Sequence, residues 1–197
     1  GTGSQRLSVK PGWEANRLSA AGDVFKLAFS LGSDLYYVQD HTPDGKSDEF
    51  AGFTGRVFPQ AQLDWSRPYA KISNLITQTI EPKVSLIVAP NGSNPANIPN
   101  EDSQEFEFDE TSLFRSNKFS GNDRVEGGTR IDYGLHWGLY GKSGGKTTAF
   151  LGQSYRFRKD GLFPDDSGLE DDFSDVVAKF EVSPRRYFDL TYRTRVG

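Results

Sequence analysis

The sequence predicts an all-β protein, an antiparallel meander of about eight strands forming part of a transmembrane β-barrel. Three observations carry that expectation. Apolar residues recur at every second position over long stretches, the connections between these stretches alternate between short and long, and the chain is unusually polar for its size. In Thr129 to Tyr140 the positions Ile131, Tyr133, Leu135, Trp137 and Leu139 are apolar, while Arg130, Asp132, Gly134, His136 and Gly138 are polar or small. That is the period of a strand with one greasy and one wet face.

Eight such segments are read along the chain by their apolar faces. The first has Leu7, Val9, Pro11 and Trp13, the second Phe25, Leu27, Phe29, Leu31, Leu35 and Tyr37, and the third Phe53, Val57, Ala61, Leu63 and Trp65. The fourth has Ile76, Ile80, Val84, Leu86 and Val88, and the fifth is quoted above. The sixth has Ala149, Leu151, Tyr155 and Phe157, the seventh Val176, Ala178, Phe180 and Val182, and the eighth Phe188, Leu190, Tyr192 and Val196. No segment of comparable length shows a 3.6-residue period, so no helix is expected.

The connections polarise the meander. Asn16 to Asp23, Ser66 to Leu75, Lys142 to Lys146 and Ser183 to Arg186 are short, whereas Asp40 to Glu49, Asn91 to Gly128 and Lys159 to Asp175 are long. An antiparallel meander places alternate turns at opposite ends, the arrangement of membrane barrels with short turns on one side and long loops on the other. The three long loops hold 19 of the 27 acidic residues, as expected of solvated loops. Trp13, Trp65, Tyr140 and Tyr187 stand beside short connections, and Tyr36, Tyr37, Tyr155 and Phe157 beside long ones, which predicts two aromatic girdles. On the wet face, basic residues such as Arg6, Arg56, Arg130, Arg156 and Arg193 alternate with Asp34, Asp64, Glu81, Asp132 and Glu181. An Arg or Lys facing lipid near the midplane costs ~2–4 kcal/mol, so this face is expected to line the lumen. Ile131, Tyr133, Leu135, Trp137 and Leu139 are then lipid-facing, and Arg130, Asp132, His136 and Arg156 lumen-facing.

Composition agrees and narrows the function classes. The 197 residues are 35% hydrophobic with a mean hydropathy of −0.61, against ~45–50% apolar residues in average soluble domains. There are no cysteines, which excludes disulfides and thiolate metal sites. A net charge of −4 argues against a nucleic-acid partner. Catalysis has little to stand on: His41 and His136 are far apart in sequence, and no Ser/His/acid pattern is apparent. Gly141 to Lys146 lacks the Gly-Lys-Ser/Thr ending of a phosphate loop and reads as a hairpin turn. Neither Glu101 to Glu105 nor Glu170 to Asp172 matches an EF-hand loop. No enzyme activity, metal site or cofactor is expected.

The blocks Gln78 to Lys83, Val88 to Pro90, Ile98 to Ser103, Leu113 to Gly121, Asp123-Arg124 and Arg130 to Leu135 resemble the LptD family, the lipopolysaccharide-assembly or organic solvent tolerance proteins. Similarity of an alphaproteobacterial kind continues through Phe150 to Arg156 and Ser167 to Asp171 to Pro184. The resemblance implies a large outer-membrane barrel that inserts lipopolysaccharide into the outer leaflet. It also implies as partners lipopolysaccharide, membrane lipid, a periplasmic Lpt bridge and an LptE-like lipoprotein plug. Residues 1–197 are expected to be an interior portion of the barrel wall, with the signal peptide, the jelly-roll domain and the remaining strands outside it. The competing expectations are a general porin or a soluble carbohydrate-binding β-sandwich.

Within those motif blocks the residues make local demands of their own. Pro82, beside Glu81, cannot donate to a ladder, which predicts a bulge or break in the fourth strand. Gly121, Gly127 and Gly128 let the loop turn back tightly. Leu113, Phe114 and Phe119 are apolar in an acidic loop and must pack somewhere. The loop is therefore expected to fold inward or cap the lumen, with Arg115, Asp123 and Arg124 in buried ion pairs. Asn100, Asp102 and Ser103 belong to the same motif.

Overall fold

The computed structural model describes residues 3–43, 48–103, 107–158, 161–185 and 188–197. Among these residues ten strands form one antiparallel sheet: β1 (Gly3–Val9), β2 (Gly12–Leu18), β3 (Val24–His41), β4 (Phe50–Ser66), β5 (Tyr69–Ile72), β6 (Ile76–Val88), β7 (Thr129–Gly141), β8 (Lys146–Arg156), β9 (Val176–Arg185) and β10 (Phe188–Val196). Sheet order follows chain order, with β1 and β2 both along β3, and β5 along β6. The sheet is open, with β1/β2 at one edge and β10 at the other. The eight expected segments are all present, and connections alternate between short hairpins and long loops.

Ten strands arise because a proline cuts the first expected segment in two, and because Tyr69–Ile72, inside the expected connection Ser66 to Leu75, forms a strand of its own. Val9 pairs with Ser33 and Gly12 with Ser30, so β1 and β2 share one unbroken register along β3. Between them Leu31 donates to the Pro11 carbonyl at 3.0 Å, and Pro11 has no N–H to return. The same happens between β4 and β5. Ser66 faces Lys83 and Tyr69 faces Ile80 in one continuous register, and Arg67 donates to the Pro82 carbonyl at 3.2 Å without a bond in return. This corrects the expectation of a break within the Pro82 strand. β6 runs unbroken and pairs with β7 from Ile76↔Gly141 to Val88↔Thr129. The missing donor of Pro82 points at β4/β5, so the interruption falls in that neighbour.

The two faces are the reverse of a soluble protein's. On one, Leu7, Phe53, Val57 and Leu151 are 67, 71, 65 and 55% exposed. On the other, Arg56, Arg130, Asp132 and Arg156 are buried. Soluble domains expose charge and bury apolar side chains, so an apolar exposed face demands a non-aqueous neighbour. Two long loops, 89–128 and 157–175, cover the charged face. Their apolar residues Phe108, Leu113, Phe163 and Leu169 form a small core with Val177 of β9, and Phe114, Phe119, Phe150 and Leu162 pack against it. Gly152 of β8 makes the seat for Leu113, because any Cβ there would collide with the leucine.

Candidate functional site: the loop-covered face

The described residues of loop 89–128 form no strand of their own, so their backbone groups need other partners. Asparagine side chains supply them, each carboxamide mimicking a peptide unit. Asn94 accepts from the N–H of Val125 at 2.9 Å and donates to its carbonyl at 2.8 Å. Asn100 does the same for Ser103, at 3.1 and 3.0 Å. Asn117 accepts from the N–H of Glu126 at 2.9 Å and donates to the carbonyl of Arg124 at 3.2 Å.

At the centre of the loop, Asp102 and Asp123 cap each other's segments. Asp123 Oδ2 accepts from the backbone N–H groups of Glu101 and Asp102, both at 2.9 Å. Asp102 Oδ1 accepts from those of Asn122 and Asp123, at 3.0 and 2.8 Å. Ser103 Oγ extends the clasp by accepting from the N–H of Arg124. Three strands grip this unit: Arg6 of β1 reaches Asp102 at 2.8 Å and Asp123 at 2.7 Å, Tyr36 of β3 donates to Asp123 at 3.0 Å, and Arg56 of β4 donates to the carbonyls of Asp123 and Asn122. Arg56 is itself oriented by Asp34 at 2.6 Å. Gly121, at φ 76°, sits so close to Asp102 that no side chain fits. Burial pushes the Asp102 carboxyl up, but Arg6 and the two backbone donors outweigh it and hold it well below the usual carboxylate range.

A second anchor lies where the loop rejoins the sheet. Glu126 and Asp132 receive Lys118, Arg130 and Arg156 in a fully buried cluster. Glu126 lies 3.2 Å from Arg130, 2.7 Å from Arg156 and 3.5 Å from Lys118, while Asp132 lies 3.3 Å from Arg130 and 3.5 Å from Lys118. Ser154 donates to Asp132, and Arg130 donates to the carbonyls of Arg115 and Ser116 at 2.6 and 3.1 Å. Arg130 Nη1 faces Glu126 without hydrogen-bonding alignment and has no other partner among the described residues. Burial works against the Glu126 carboxylate, but Arg130, Lys118 and Arg156 together hold it charged and below its ordinary range.

Aromatic residues complete the contact. Lys83 of β6 lies 4.3 Å from the Phe114 ring centre, Phe114 meets Phe150 edge-on, and Phe119 stacks on Phe163 at 4.9 Å. Phe114 and Phe119 are thus half-buried against the sheet.

The other motif residues fall in different places. Arg115 is exposed and is held through its backbone, its N–H donating to the Ser112 carbonyl and its carbonyl accepting from Arg130; Arg124 is half-buried and also bonded through its backbone. Neither is in an ion pair among the described residues, which corrects that part of the expectation, since the cations bound to loop carboxylates come from the strands and from Lys118. Glu81 stands opposite His136 in the β6–β7 ladder, and His136 is exposed beside Phe150. Ile131, Tyr133, Leu135, Trp137 and Leu139 share the outer face of β7, with Leu135 exposed. Tyr36 does not belong to an aromatic girdle: it points inward and is 1% exposed. Tyr187 lies outside the described residues.

Lys118 and Glu126 escape a sequence reading because they sit in a loop with no period to read. A signal nonetheless exists. Tyr36, Val38, Phe58, Ile87, Phe150 and Val177 are apolar residues at wet-face positions, and all but the half-buried Phe150 are nearly inaccessible. Apolar side chains on the face opposite the greasy one announce that something covers them. Among the described residues no group of three His, Asp or Glu side chains is placed to hold a metal ion.

The family model described as LptD, LPS transport system D, matches residues 1–195. The chain is 29% identical over 168 residues to the LPS-assembly protein LptD of Neisseria gonorrhoeae, covering 82% of this chain and 20% of that protein. It is 33% identical over 135 residues to the LPS-assembly protein LptD of Vibrio cholerae, covering 66% of this chain and 16% of that protein. The chain therefore spans about a fifth or less of the curated relatives it matches.

Proposed function

The chain belongs to the LptD family, a family of transport and assembly rather than of enzymes, and from that premise we propose that it forms part of the wall of an outer-membrane β-barrel that places lipopolysaccharide in the outer leaflet. The single observation that carries this reading is the inverted sheet: one face apolar and exposed, the other charged and sealed by a folded loop. The exposed face meets lipid and the charged face the lumen, because burying an Arg or Lys in hydrocarbon costs ~2–4 kcal/mol near the midplane. In this reading Arg130, Asp132 and Arg156 hold loop 89–128 against the inner wall, His136 faces the lumen below it, and Ile131 to Leu139 contact lipid. An LptE-like plug and a periplasmic Lpt bridge are partners of the assembled protein, and no covalent chemistry is performed.

Supporting evidence would come from depleting the full-length protein in cells and following newly made lipopolysaccharide to the surface. Stalled delivery is required, whereas a passive porin predicts none. Cysteines at Leu135 and Leu151 should react with a membrane-confined label and not with an aqueous one, and the opposite pattern would overturn the assignment of faces.

A further inference from the structure

Lys118 is the one lysine among the described residues whose side chain is wholly enclosed. Its Nζ lies 3.5 Å from Glu126 Oε1 and 3.5 Å from Asp132 Oδ1, and all three side chains are fully buried. The other lysines paired with carboxylates, Lys26, Lys146 and Lys179, keep 42, 41 and 26% of their side chains exposed. Burial, with the neighbouring guanidinium of Arg130, pushes the Lys118 pKa down against the pull of Glu126 and Asp132. An enclosed amine that gives up its proton is a nucleophile.

Asp132 is set up as its acceptor. Arg130 Nε faces Asp132 Oδ2 at 3.3 Å, and Ser154 donates to Oδ1. These donors draw charge from the carboxyl carbon and stand where an oxyanion and a leaving oxygen would develop. Ammonium–carboxylate contacts close to ~2.7–2.9 Å when ion pairing alone decides them. The longer separation here is the ~3–3.5 Å approach distance of a reacting pair.

We propose that Lys118 and Asp132 join in an isopeptide bond, with Glu126 as the proton carrier. Nζ bonds to the Asp132 carboxyl carbon, and the bond from that carbon to Oδ1 breaks. Glu126 takes two protons from Nζ in turn and passes them to Oδ1, which departs as water, while Nζ keeps the third as the amide N–H. Oδ2 becomes the amide oxygen, facing Arg130. An ammonium and a carboxylate together hold the atoms of one amide and one water, so the step needs no oxidant and no activating group. One positive and one negative charge vanish together, which removes the desolvation cost of both and leaves Glu126 with Arg130 and Arg156. Reactants held in place reach effective concentrations of ~10⁵–10⁸ M, and the enclosed site keeps out the bulk water that would reverse the step. The bond spans 14 residues and ties the loop to β7 covalently. Nothing in the reaction depends on what the wall faces or carries.

The test is peptide mass analysis of the full-length protein, purified from outer membranes and digested with trypsin. The expected product is one branched peptide, Ser116–Arg124 joined to Ile131–Lys142, uncut after Lys118 and lighter than the two peptides together by one water. Lys118→Arg keeps the cation without the amine, and Asp132→Ala removes the acceptor; each should abolish the branched peptide. Glu126→Gln should slow its formation ~10²–10⁴-fold. A purely ionic cluster moves none of these masses. Wild-type protein that shows heat-modifiable migration yet is cleaved after Lys118, releasing Phe119–Arg124 and Ile131–Lys142 separately, would overturn the bond. A branched peptide that persists in Lys118→Arg would overturn Lys118 as the amine, and unchanged formation in Glu126→Gln would overturn Glu126 as the carrier.

Discussion

Asp102 and Asp123 each cap the backbone of the other, with Asp123 accepting from the Asp102 N–H at 2.9 Å and Asp102 from the Asp123 N–H at 2.8 Å. Two carboxylates in such proximity would repel, but four backbone N–H groups and the guanidinium of Arg6 offset the charge. The pair turns an irregular loop into a fixed object and ties it to β1 and β3.

Asp123→Ala removes an Arg6 ion pair, the Tyr36 hydrogen bond and two backbone caps. Charge-assisted hydrogen bonds are worth ~1.5–3 kcal/mol each when buried, and Arg6 is partly exposed, so a loss of about 3 kcal/mol of loop stability is expected. Limited proteolysis of the assembled barrel should then cut within 89–128, while the wild-type loop resists.

Glu126→Gln leaves Lys118, Arg130 and Arg156 facing a neutral amide in a fully buried site. Removing one partner of a buried ionic cluster costs ~3–5 kcal/mol. The second change Lys118→Met should recover part of that loss, because it removes a charge that Glu126 no longer balances. Thermal loss of heat-modifiable migration for the two single variants and the double variant measures the coupling; strictly additive losses would rule out the cluster as a unit.

Gly121→Ala and Gly92→Ala separate crowding from backbone strain. Both glycines have positive φ, 76° and 69°, but a Cβ at Gly121 collides with Asp102 while one at Gly92 meets nothing within 4 Å. Gly92→Ala should cost about 1 kcal/mol and Gly121→Ala clearly more. Equal melting shifts for the two would argue against the Asp102–Asp123 clasp.

The loop should be insensitive to mild acid. Asp102 and Asp109 both have carboxyls held below the usual range: for each, burial opposes ionisation, and hydrogen bonds from Arg6 and backbone N–H groups, or from Thr111 and Ser112, outweigh it. A depressed folded pKa contributes stability that is present above the unfolded value, ~3.9, and lost as pH falls through the folded one. Protease resistance of residues 89–128 should therefore be unchanged between pH 7 and 5 and decline only below about pH 4.

Leu151→Arg on the outer face and His136→Arg on the inner face should diverge. The first places a guanidinium in hydrocarbon at ~2–4 kcal/mol near the midplane, and the second adds a cation to a polar surface. The yield of assembled barrel in outer-membrane fractions should fall for Leu151→Arg alone.

How much of this was legible depended on whether neighbouring residues shared a period. The long strands were legible, because alternation over 10 to 18 residues encodes both the strand and its two faces, whereas the four-residue β5 is too short to show a period and lay in an expected connection. The prolines showed where a donor was missing but not on which side, and Pro82 therefore misled: its empty side faces β4/β5 and spares β7. Inside the loop, Leu113, Phe114 and Phe119 signalled a packed object, yet the choice among Arg115, Asp123 and Arg124 as ion-pair members could not be read. Which charges meet depends on strands far away in the chain: the Asp123 carboxylate pairs with Arg6 and its carbonyl accepts from Arg56, while Arg115 stays in solvent.

The sequence by itself determined an all-β meander, polarised ends and an apolar face opposed to a charged one, because each follows from local period and spacing. Only the tertiary structure decided that the charged face is sealed by the Asp102–Asp123 clasp and the Glu126–Asp132 cluster, and that the β4–β6 ladder ends at Ala61↔Val88. Those relations join residues 21 to 117 positions apart, except within the cluster itself, and are fixed by strand register and loop closure rather than by any neighbour in the chain.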